Sequence, residues 1–425
     1  MPSYHIWTIG CQMNKADSER LGAGLEQLGY QPTSEIEAAD IVVLNSCVVR
    51  QSAENRVTGK LHSLKPLKKA RPEAILALTG CMVDLAADEL KRRFPHVDLF
   101  LKPQAFGDLL QLASERKVIG GELPLAHSPP SVSTFVPIIQ GCDNFCSYCI
   151  VPYRRGRERS RRREEIICEI EGLVARGVKE VVLLGQNVDS YGHDLSTQPT
   201  LAGLLAEVNS IDGLARIRFL TSHPKDMTDE LIEAVAGLDK VCEHINLPLQ
   251  AGDDEILKAM RRGYTVEQYR QLVGRIRLAL PGVALSTDVI VGFPGETEEE
   301  FQRTFDLLAE LRFDTVHVAA YSPRSGTIAA RLFEDNIPPE VKKERLQRVE
   351  ELQEKVATGI NAQLLGKRAE ILVEGEQKGK WQGRTRTNKL VFFADDRDYL
   401  GQLVQVKIER CSPWALQGKV DNERD

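Results

Sequence analysis

Long hydrophobic runs are missing from this sequence. Its apolar stretches, such as Ile41 to Leu44 and Val181 to Leu184, fall far short of the roughly 18 residues that span a bilayer, so no membrane partner is expected. The opening residues Met1 to Trp7 carry no cationic head followed by an apolar segment, which argues against a secretory leader and for a cytoplasmic protein. An excess of positive charge is absent too. Lys and Arg number 55 against 61 Asp and Glu, a formal net charge of −6, so any surface for a polyanion has to be local. Cysteine is scarce and uneven, 9 in 425 residues, which does not suit a secreted disulfide framework. With 42% hydrophobic residues over that length, disorder is excluded and there is chain enough for two or three buried cores.

Apolar runs at Tyr4 to Ile9, Ile41 to Leu44, Ala74 to Leu78 and Val97 to Phe100 alternate with amphipathic stretches, the βαβ pattern of an open parallel α/β sheet. Cys11, Cys47 and Cys81 each follow one of the first three strands within a few residues. Loops beyond the carboxyl ends of parallel strands share one edge of the sheet, so the three thiols are expected to converge. The alternative is three unrelated buried thiols packing as small hydrophobes; repetition at one place in successive βα units favours convergence. Gly120 to Ser131 has linker composition. Beyond it come six more strand candidates, Phe135 to Ile139, Glu180 to Leu184, Ile217 to Leu220, His244 to Leu247, Val283 to Val291 and Thr315 to Ala319, which predict a partial (β/α)6 TIM-like barrel with its site at the strands' carboxyl ends. A charged amphipathic stretch, Pro339 to Leu365, reads as one long helix. Short strands at Lys367 to Val373, Leu390 to Phe393, Gly401 to Glu409 and Trp414 to Val420 then suggest a small antiparallel β-barrel, a common nucleic-acid-binding shape. The expected domains are 1–117, 128–360 and 361–422.

Directly after the first barrel strand stand Cys142, Cys146 and Cys149 in a Cys-x3-Cys-x2-Cys array. Three thiolates this close can ligate three irons of a [4Fe–4S] cluster and leave the fourth open to a chelating small molecule. Zinc or a purely structural cluster is the alternative, but zinc requires a fourth ligand, and His127 and His193 have no motif spacing. Cys168, Cys242 and Cys411 lack such context and are read as structural. Seven arginines between Arg154 and Arg163, among them Arg155 and Arg157, follow the cysteine loop. Charge runs are usually solvated faces; beside this loop they also suit an RNA phosphate backbone. In the tail, Trp381, Arg384, Arg386 and Lys389 mix cations with an aromatic, which suits phosphate pairing and base stacking.

The cysteine array with Tyr148 before its last cysteine, on the first loop of a (β/α)6 pattern, resembles the radical S-adenosylmethionine enzymes. The three upstream cysteines and the terminal barrel narrow the resemblance to the methylthiotransferases. Matching segments run along essentially the whole chain: Gly10-Cys11-Gln12-Met13-Asn14-Lys15-Ala16-Asp17-Ser18-Glu19, Arg50-Gln51-Ser52-Ala53-Glu54-Asn55-Arg56, Leu184-Gly185-Gln186-Asn187-Val188, Gly292-Phe293-Pro294-Gly295-Glu296-Thr297 and Tyr321-Ser322-Pro323-Arg324-Ser325-Gly326-Thr327. The first two resemble the MiaB-type tRNA branch, and the tail resembles the TRAM domain, an RNA-binding barrel.

The resemblance implies two [4Fe–4S] clusters, one on Cys142, Cys146 and Cys149 and a second on Cys11, Cys47 and Cys81, with S-adenosylmethionine as the other cofactor. It further implies methylthiolation at C2 of the N6-dimethylallyl-adenosine beside the tRNA anticodon, using two S-adenosylmethionine molecules and a sulfur held on the second cluster. The implied partners are a tRNA anticodon stem-loop, a flavodoxin- or ferredoxin-like electron donor and a sulfur source, acting on a monomer. Gln186, Asn187 and Ser222, on loops after barrel strands, are candidate contacts to the cofactor, although Asn and Ser also suit turns and caps. Gly292 and Gly295 are candidates for close backbone approach to it, although Pro-Gly is also simply a turn. Rival substrates within the family are a ribosomal-protein aspartate and a threonylcarbamoyl-adenosine. A rival of another class is a two-cluster electron carrier with an RNA-binding tail.

Overall fold

A computed structural model describes residues 1–48, 51–83, 87–116 and 131–421; Arg50, His127 and the expected linker, Ser131 excepted, lie outside the described residues. The chain divides into two compact units, Met1–Pro129 with Cys149–Arg157, and Pro130–Tyr148 with Glu158–Asp425.

In the first unit, β1 (Ser3–Thr8), β2 (Gln31–Pro32), β3 (Ile41–Ser46), β4 (Ile75–Gly80) and β5 (Leu99–Leu101) form a sheet in the order β2-β1-β3-β4-β5, parallel throughout. β3 and β4 are apolar at successive positions because both faces are covered. Val42, Leu44, Leu76 and Leu78 pack with Val57, Leu61 and Phe94 on one face, while Ile41, Val43, Ile75 and Ala77 pack with Leu21, Leu25 and Leu109 on the other. The strand order reverses direction between β1 and β3, and such switch points open a crevice at the carboxyl edge. Cys11 and Cys47 flank it.

The second unit begins with β6 (Ser133–Pro137), β7 (Ile139–Gln140) and β8 (Arg159–Ser160), the last two an antiparallel pair bracketing the cysteine loop. Then come β9 (Glu180–Leu184), β10 (Arg216–Leu220), β11 (His244–Asn246), β12 (Ala284–Val291) and β13 (Thr315–Ala320). Parallel ladders β6-β9-β10 and β11-β12-β13 are joined by a parallel bridge from Ile217 to Val241, which makes the six-stranded partial barrel. Five helices of this unit start at a threonine whose hydroxyl accepts from a backbone amide of the first turn: Thr200, Thr228, Thr265, Thr297 and Thr327, with full capping boxes at Thr265 and Thr297 through Gln268 and Glu300.

After a helix at Pro339–Ala362 the chain closes a barrel of β14 (Arg368–Gln377), β15 (Lys380–Thr385), β16 (Leu390–Phe393), β17 (Leu403–Cys411) and β18 (Leu416–Val420), in the order β14-β15-β16-β18-β17. The expected barrel is all-antiparallel; one seam, β16 with β18, is parallel, because β18 inserts between β16 and β17 to close the ring. β15 has no counterpart in the sequence reading. Its Lys-Trp-Gln-Gly-Arg-Thr lacks apolar alternation, and Gly383 is needed where a Cβ would lie 2.2 Å from the Leu372 carbonyl oxygen. Among the described residues no helix is long and apolar enough to cross a membrane.

Candidate cluster-binding sites

In the first unit the three cysteines follow β1, β3 and β4, and a buried polar lattice ties their loops together. Asn14 donates from Nδ2 to Asn45 Oδ1 at 2.7 Å and to the Ser46 carbonyl at 2.9 Å. Asn45 returns a bond to the Asn14 carbonyl at 2.8 Å and reaches Ser18 Oγ at 2.9 Å. The Cys11 thiol donates to Asn14 Oδ1 at 3.3 Å, and the Cys81 amide donates to the Ser46 carbonyl at 2.9 Å. Close packing requires glycine before two of the cysteines. Gly80 has φ +91° and a Cβ there would sit 2.2 Å from the Ser46 oxygen; at Gly10 it would lie 3.0 Å from Cys47 Cβ.

Arg155, expected among the RNA contacts, is instead buried beside these cysteines. Its NH2 pairs with Asp17 Oδ2 at 3.0 Å, with side chains only 2% and 1% exposed. Asp17 lies one helical turn and a half beyond Cys11, and a carboxylate this buried demands a cation. Burial pushes the Cys81 thiol up, the Arg155 guanidinium pulls it down, and the neighbouring Cys11 pushes it up again. Among the described residues, Arg155 NH1 and Asp17 Oδ1 are buried without a hydrogen-bond partner.

In the second unit the cysteine loop is fixed from the loop after β9 and from the end of the helix Asp254–Ala259 and the turn beyond it. The Gly141 amide donates to Gln186 Oε1 at 2.6 Å. The Ser147 hydroxyl donates to the Ala259 carbonyl at 2.7 Å, and Phe145 takes a left-handed backbone at φ +46°. Arg262, buried, donates from NH1 to Cys146 Sγ at 3.3 Å, from NH2 to the Pro248 carbonyl at 3.1 Å and from Nε to Tyr264 Oη at 3.0 Å. Burial pushes the Cys142 thiol up to about 11, so the thiolate forms readily there only against a cation or a metal. Tyr148 packs on the cluster of Ala251, Ile256, Met260 and Phe293. Cys149 falls in the segment grouped with the first unit. Among the described residues no three His, Cys, Asp or Glu side chains converge as a single ion needs, whereas the thiolates of a cluster bind different irons. Each triplet supplies three thiols, the donor type that the irons of such a cluster take.

Of the expected cofactor contacts, Gln186 serves the loop, and Ser222 donates to Asp189 Oδ1 at 2.9 Å. Asn187 does not cap the turn that follows it; its Nδ2 donates to Asp226 Oδ2 at 2.7 Å, and its Oδ1 is buried with no partner among the described residues. Asp189 also accepts from the His223 amide at 3.0 Å; burial pushes it up to about 7 against those two bonds, with the Asp226 charge adding to the rise. His223 Nε2 is likewise buried and unpartnered among the described residues. Gly292, at φ +68°, packs against protein, where a Cβ would lie 2.4 Å from Lys342 Cγ, while Gly295 has nothing within 4 Å. Arg262, His223 and Asp189 were missed by sequence reasoning. Positions on loops after barrel strands could have marked Asp189 and His223; Arg262, beyond the helix Asp254–Ala259, carried no such mark.

Two of the tail cations are also turned toward protein. Arg386 pairs with Glu243 at 2.7 Å and donates to the Val241 carbonyl at 2.6 Å, and Lys389 pairs with Asp314 at 2.5 Å. Both carboxylates stand just before barrel strands, so these side chains seat the small barrel on the strands' amino ends instead of facing phosphate. Arg384 stays half-buried, 3.6 Å from Glu374. Trp381 gives its indole N–H to the Asp395 carbonyl at 3.1 Å and meets Tyr399 edge-on. In the arginine run, Arg154 is half-buried and Arg157, Arg159 and Arg162 are exposed.

The chain matches the Radical SAM superfamily over residues 136–308, the Uncharacterized protein family UPF0004 over 3–102 and the TRAM domain over 362–420. Among curated proteins it is similar to the tRNA-2-methylthio-N(6)-dimethylallyladenosine synthase of Dehalococcoides mccartyi (strain ATCC BAA-2266 / KCTC 15142 / 195), 53% identical over 99% of both chains. It is likewise similar to proteins of that name from Chloroflexus aurantiacus, 53% identical over 98% of this chain and 91% of the other, and Moorella thermoacetica, 47% identical over 98% of both. The chain belongs to this synthase family. Among solved structures the fold is similar to the radical S-adenosylmethionine methyltransferase TsrM from Kitasatospora setae, with TM-score 0.55 at 15% identity over 78% of this chain and 77% of that one. As a radical S-adenosylmethionine enzyme, a member of the synthase family uses an iron–sulfur cluster and S-adenosylmethionine. The superfamily match contains Cys142, Cys146 and Cys149, and the amino-terminal match contains Cys11, Cys47 and Cys81.

Proposed function

We propose that this chain methylthiolates C2 of N6-dimethylallyl-adenosine in tRNA. The observation that carries the reading is a second set of three cysteines, tied together by the Asn14–Asn45 lattice, in a chain whose barrel already holds the cysteine array of its superfamily. Cys142, Cys146 and Cys149 hold one [4Fe–4S] cluster; Cys11, Cys47 and Cys81 hold the other. When bound, the clusters and S-adenosylmethionine supply the radical and the sulfur that an unactivated aromatic C–H requires and side chains cannot provide.

The protein's own part is placement and charge. Arg262 keeps a cation against Cys146 and donates a hydrogen bond to its sulfur. Gln186 and Ser147 fix the loop that carries the cysteines. Asn187 Oδ1 and His223 Nε2, buried polar atoms that no described residue satisfies, are left to bond polar groups of the cofactor. Exposed Arg157, Arg159 and Arg162 attract the phosphate backbone. The reaction takes place in the cytoplasm on a monomer, with a flavodoxin- or ferredoxin-like protein giving electrons and a separate donor supplying sulfur.

The test is nucleoside mass spectrometry of tRNA carrying N6-dimethylallyl-adenosine after anaerobic incubation with cluster-reconstituted protein, reductant and S-adenosylmethionine. The wild-type protein should form the 2-methylthio nucleoside. Cys47→Ala should yield 5′-deoxyadenosine but no modified nucleoside, and Cys146→Ala neither. Modification by Cys47→Ala at the wild-type level would overturn the role of the second triplet. Production of 5′-deoxyadenosine by wild type with the tRNA unchanged would overturn the substrate.

A further inference from the structure

We propose that Arg155, locked by Asp17, is the counter-cation of the cluster on Cys11, Cys47 and Cys81, and that its charge makes that cluster easier to reduce. The inference rests on the reading that those cysteines hold a cluster. In sequence Arg155 belongs to the arginine run after Cys149; in the structure it is grouped with the amino-terminal unit, its side chain 2% exposed. One terminal nitrogen is committed to Asp17, which fixes the guanidinium plane. The other is buried with no hydrogen-bond partner among the described residues, and Cys81 and Cys11, with Asp17, lie close enough to interact with the guanidinium electrostatically.

An arginine in this position has no solvent to satisfy it. A buried N–H without an acceptor is costly, and the pair with Asp17 leaves one N–H face unanswered. Three thiolates and the sulfides of a cluster bring several negative charges to the same place, and cluster potentials respond to nearby charge and to hydrogen bonds at sulfur. Reduction adds one electron, so a fixed cation stabilises the reduced form more than the oxidised form, and the potential rises. Asp17 is thus the positioning residue, holding in place the cation through which Arg155 acts on the cluster.

The experiment uses the full chain with Cys142, Cys146 and Cys149 changed to alanine, reconstituted with iron and sulfide, so that the second cluster is seen alone. Iron content is measured first. If this background binds no cluster, the reading of Cys11, Cys47 and Cys81 fails, which is distinct from failure of the inference. If it binds one, its midpoint potential is compared in Arg155→Gln and Arg155→Lys. Arg155→Gln should shift the potential negative by an oxidised-to-reduced ratio of about tenfold, or about 59 mV for a one-electron couple, and Arg155→Lys should recover most of the shift. Should Arg155→Gln hold no cluster, restored iron in Arg155→Lys supports the role of charge, and iron lost from both assigns Arg155 to packing and overturns it. A potential unchanged in Arg155→Gln also overturns it.

Discussion

Gly292 is constrained twice, by its backbone and by its neighbour. Its φ of +68° is a left-handed conformation, and the space beside its Cα is filled by the Lys342 side chain. Lys342 cannot swing away freely, because its Nζ is held by Asp335 at 2.5 Å and by the Tyr321 carbonyl at 3.3 Å. Gly292→Ala should therefore cost about 1–3 kcal/mol of stability through strain and overpacking together. Gly295, at φ +84° in open space, carries the backbone strain alone, and Gly295→Ala should cost about 1 kcal/mol. Urea denaturation of the two variants checks this, and equal losses would remove the Lys342 contact as a cause. At this scale the placement of Cys11, Cys47 and Cys81 just past three parallel strands was legible in the sequence, because the apolar runs before them mark the strands and the thiols recur at one place in each unit. Arg155 was not, since a charge run carries no mark of which member turns inward; that depends on Asp17, far away in sequence and hidden in an ordinary helix.

Strand β10 shows how an element can be read for its position and missed for its purpose. Ile217 and Phe219 face the apolar core, which makes the strand visible, while Arg216 and Arg218 alternate with them and are buried too. Arg218 pairs with Glu180 at 2.8 Å and donates to the Arg386 and Thr385 carbonyls, each at 2.7 Å; Arg216 donates to the Arg384 carbonyl at 2.6 Å. The terminal barrel is thus held by its backbone at the run of residues that looked like an RNA contact. Sequence periodicity could not show this, because the partners on β10 and β15 are joined by tertiary packing alone. Arg218→Met would leave Glu180 buried without its cation and two carbonyls without a donor, a loss of about 3–5 kcal/mol. Hydrogen exchange should then speed up in β15, measured as peptides covering Lys380–Thr385. Protection unchanged in that strand would mean Arg218 does not hold the seat.

For the second unit as a whole, buried titratable groups of opposite kind set the response to acid. Burial lowers His223 to about 2, with Arg262 and Lys225 adding to the effect, and lowers His244 to about 3, with Arg218 and other nearby cations adding. In the unfolded chain each takes its proton near 6.5, so both contribute stability that is complete above that pH and lost as the pH falls below it. Asp189 and Glu296 act in the other direction. Burial raises each to about 7, from 3.8 and 4.5, so the folded unit binds two protons below pH 7 that the unfolded chain takes up only near pH 4. Between about pH 6.5 and 4.5 the two pairs offset each other; below about pH 4 these two acids are protonated in both states, and of the four groups only the histidines still oppose folding, joined by Glu243, Glu298 and Glu310, which their arginine partners hold low against burial. The cluster-free chain, used because acid releases thiolate-bound metal, should hold a nearly level urea midpoint down to about pH 4.5. It should then lose about 1.4 kcal/mol per pH unit for each histidine. The double variant Asp189→Asn, Glu296→Gln should begin its loss near pH 6.5 instead, and the same level profile in that variant would show that these two carboxyls do not supply the offset.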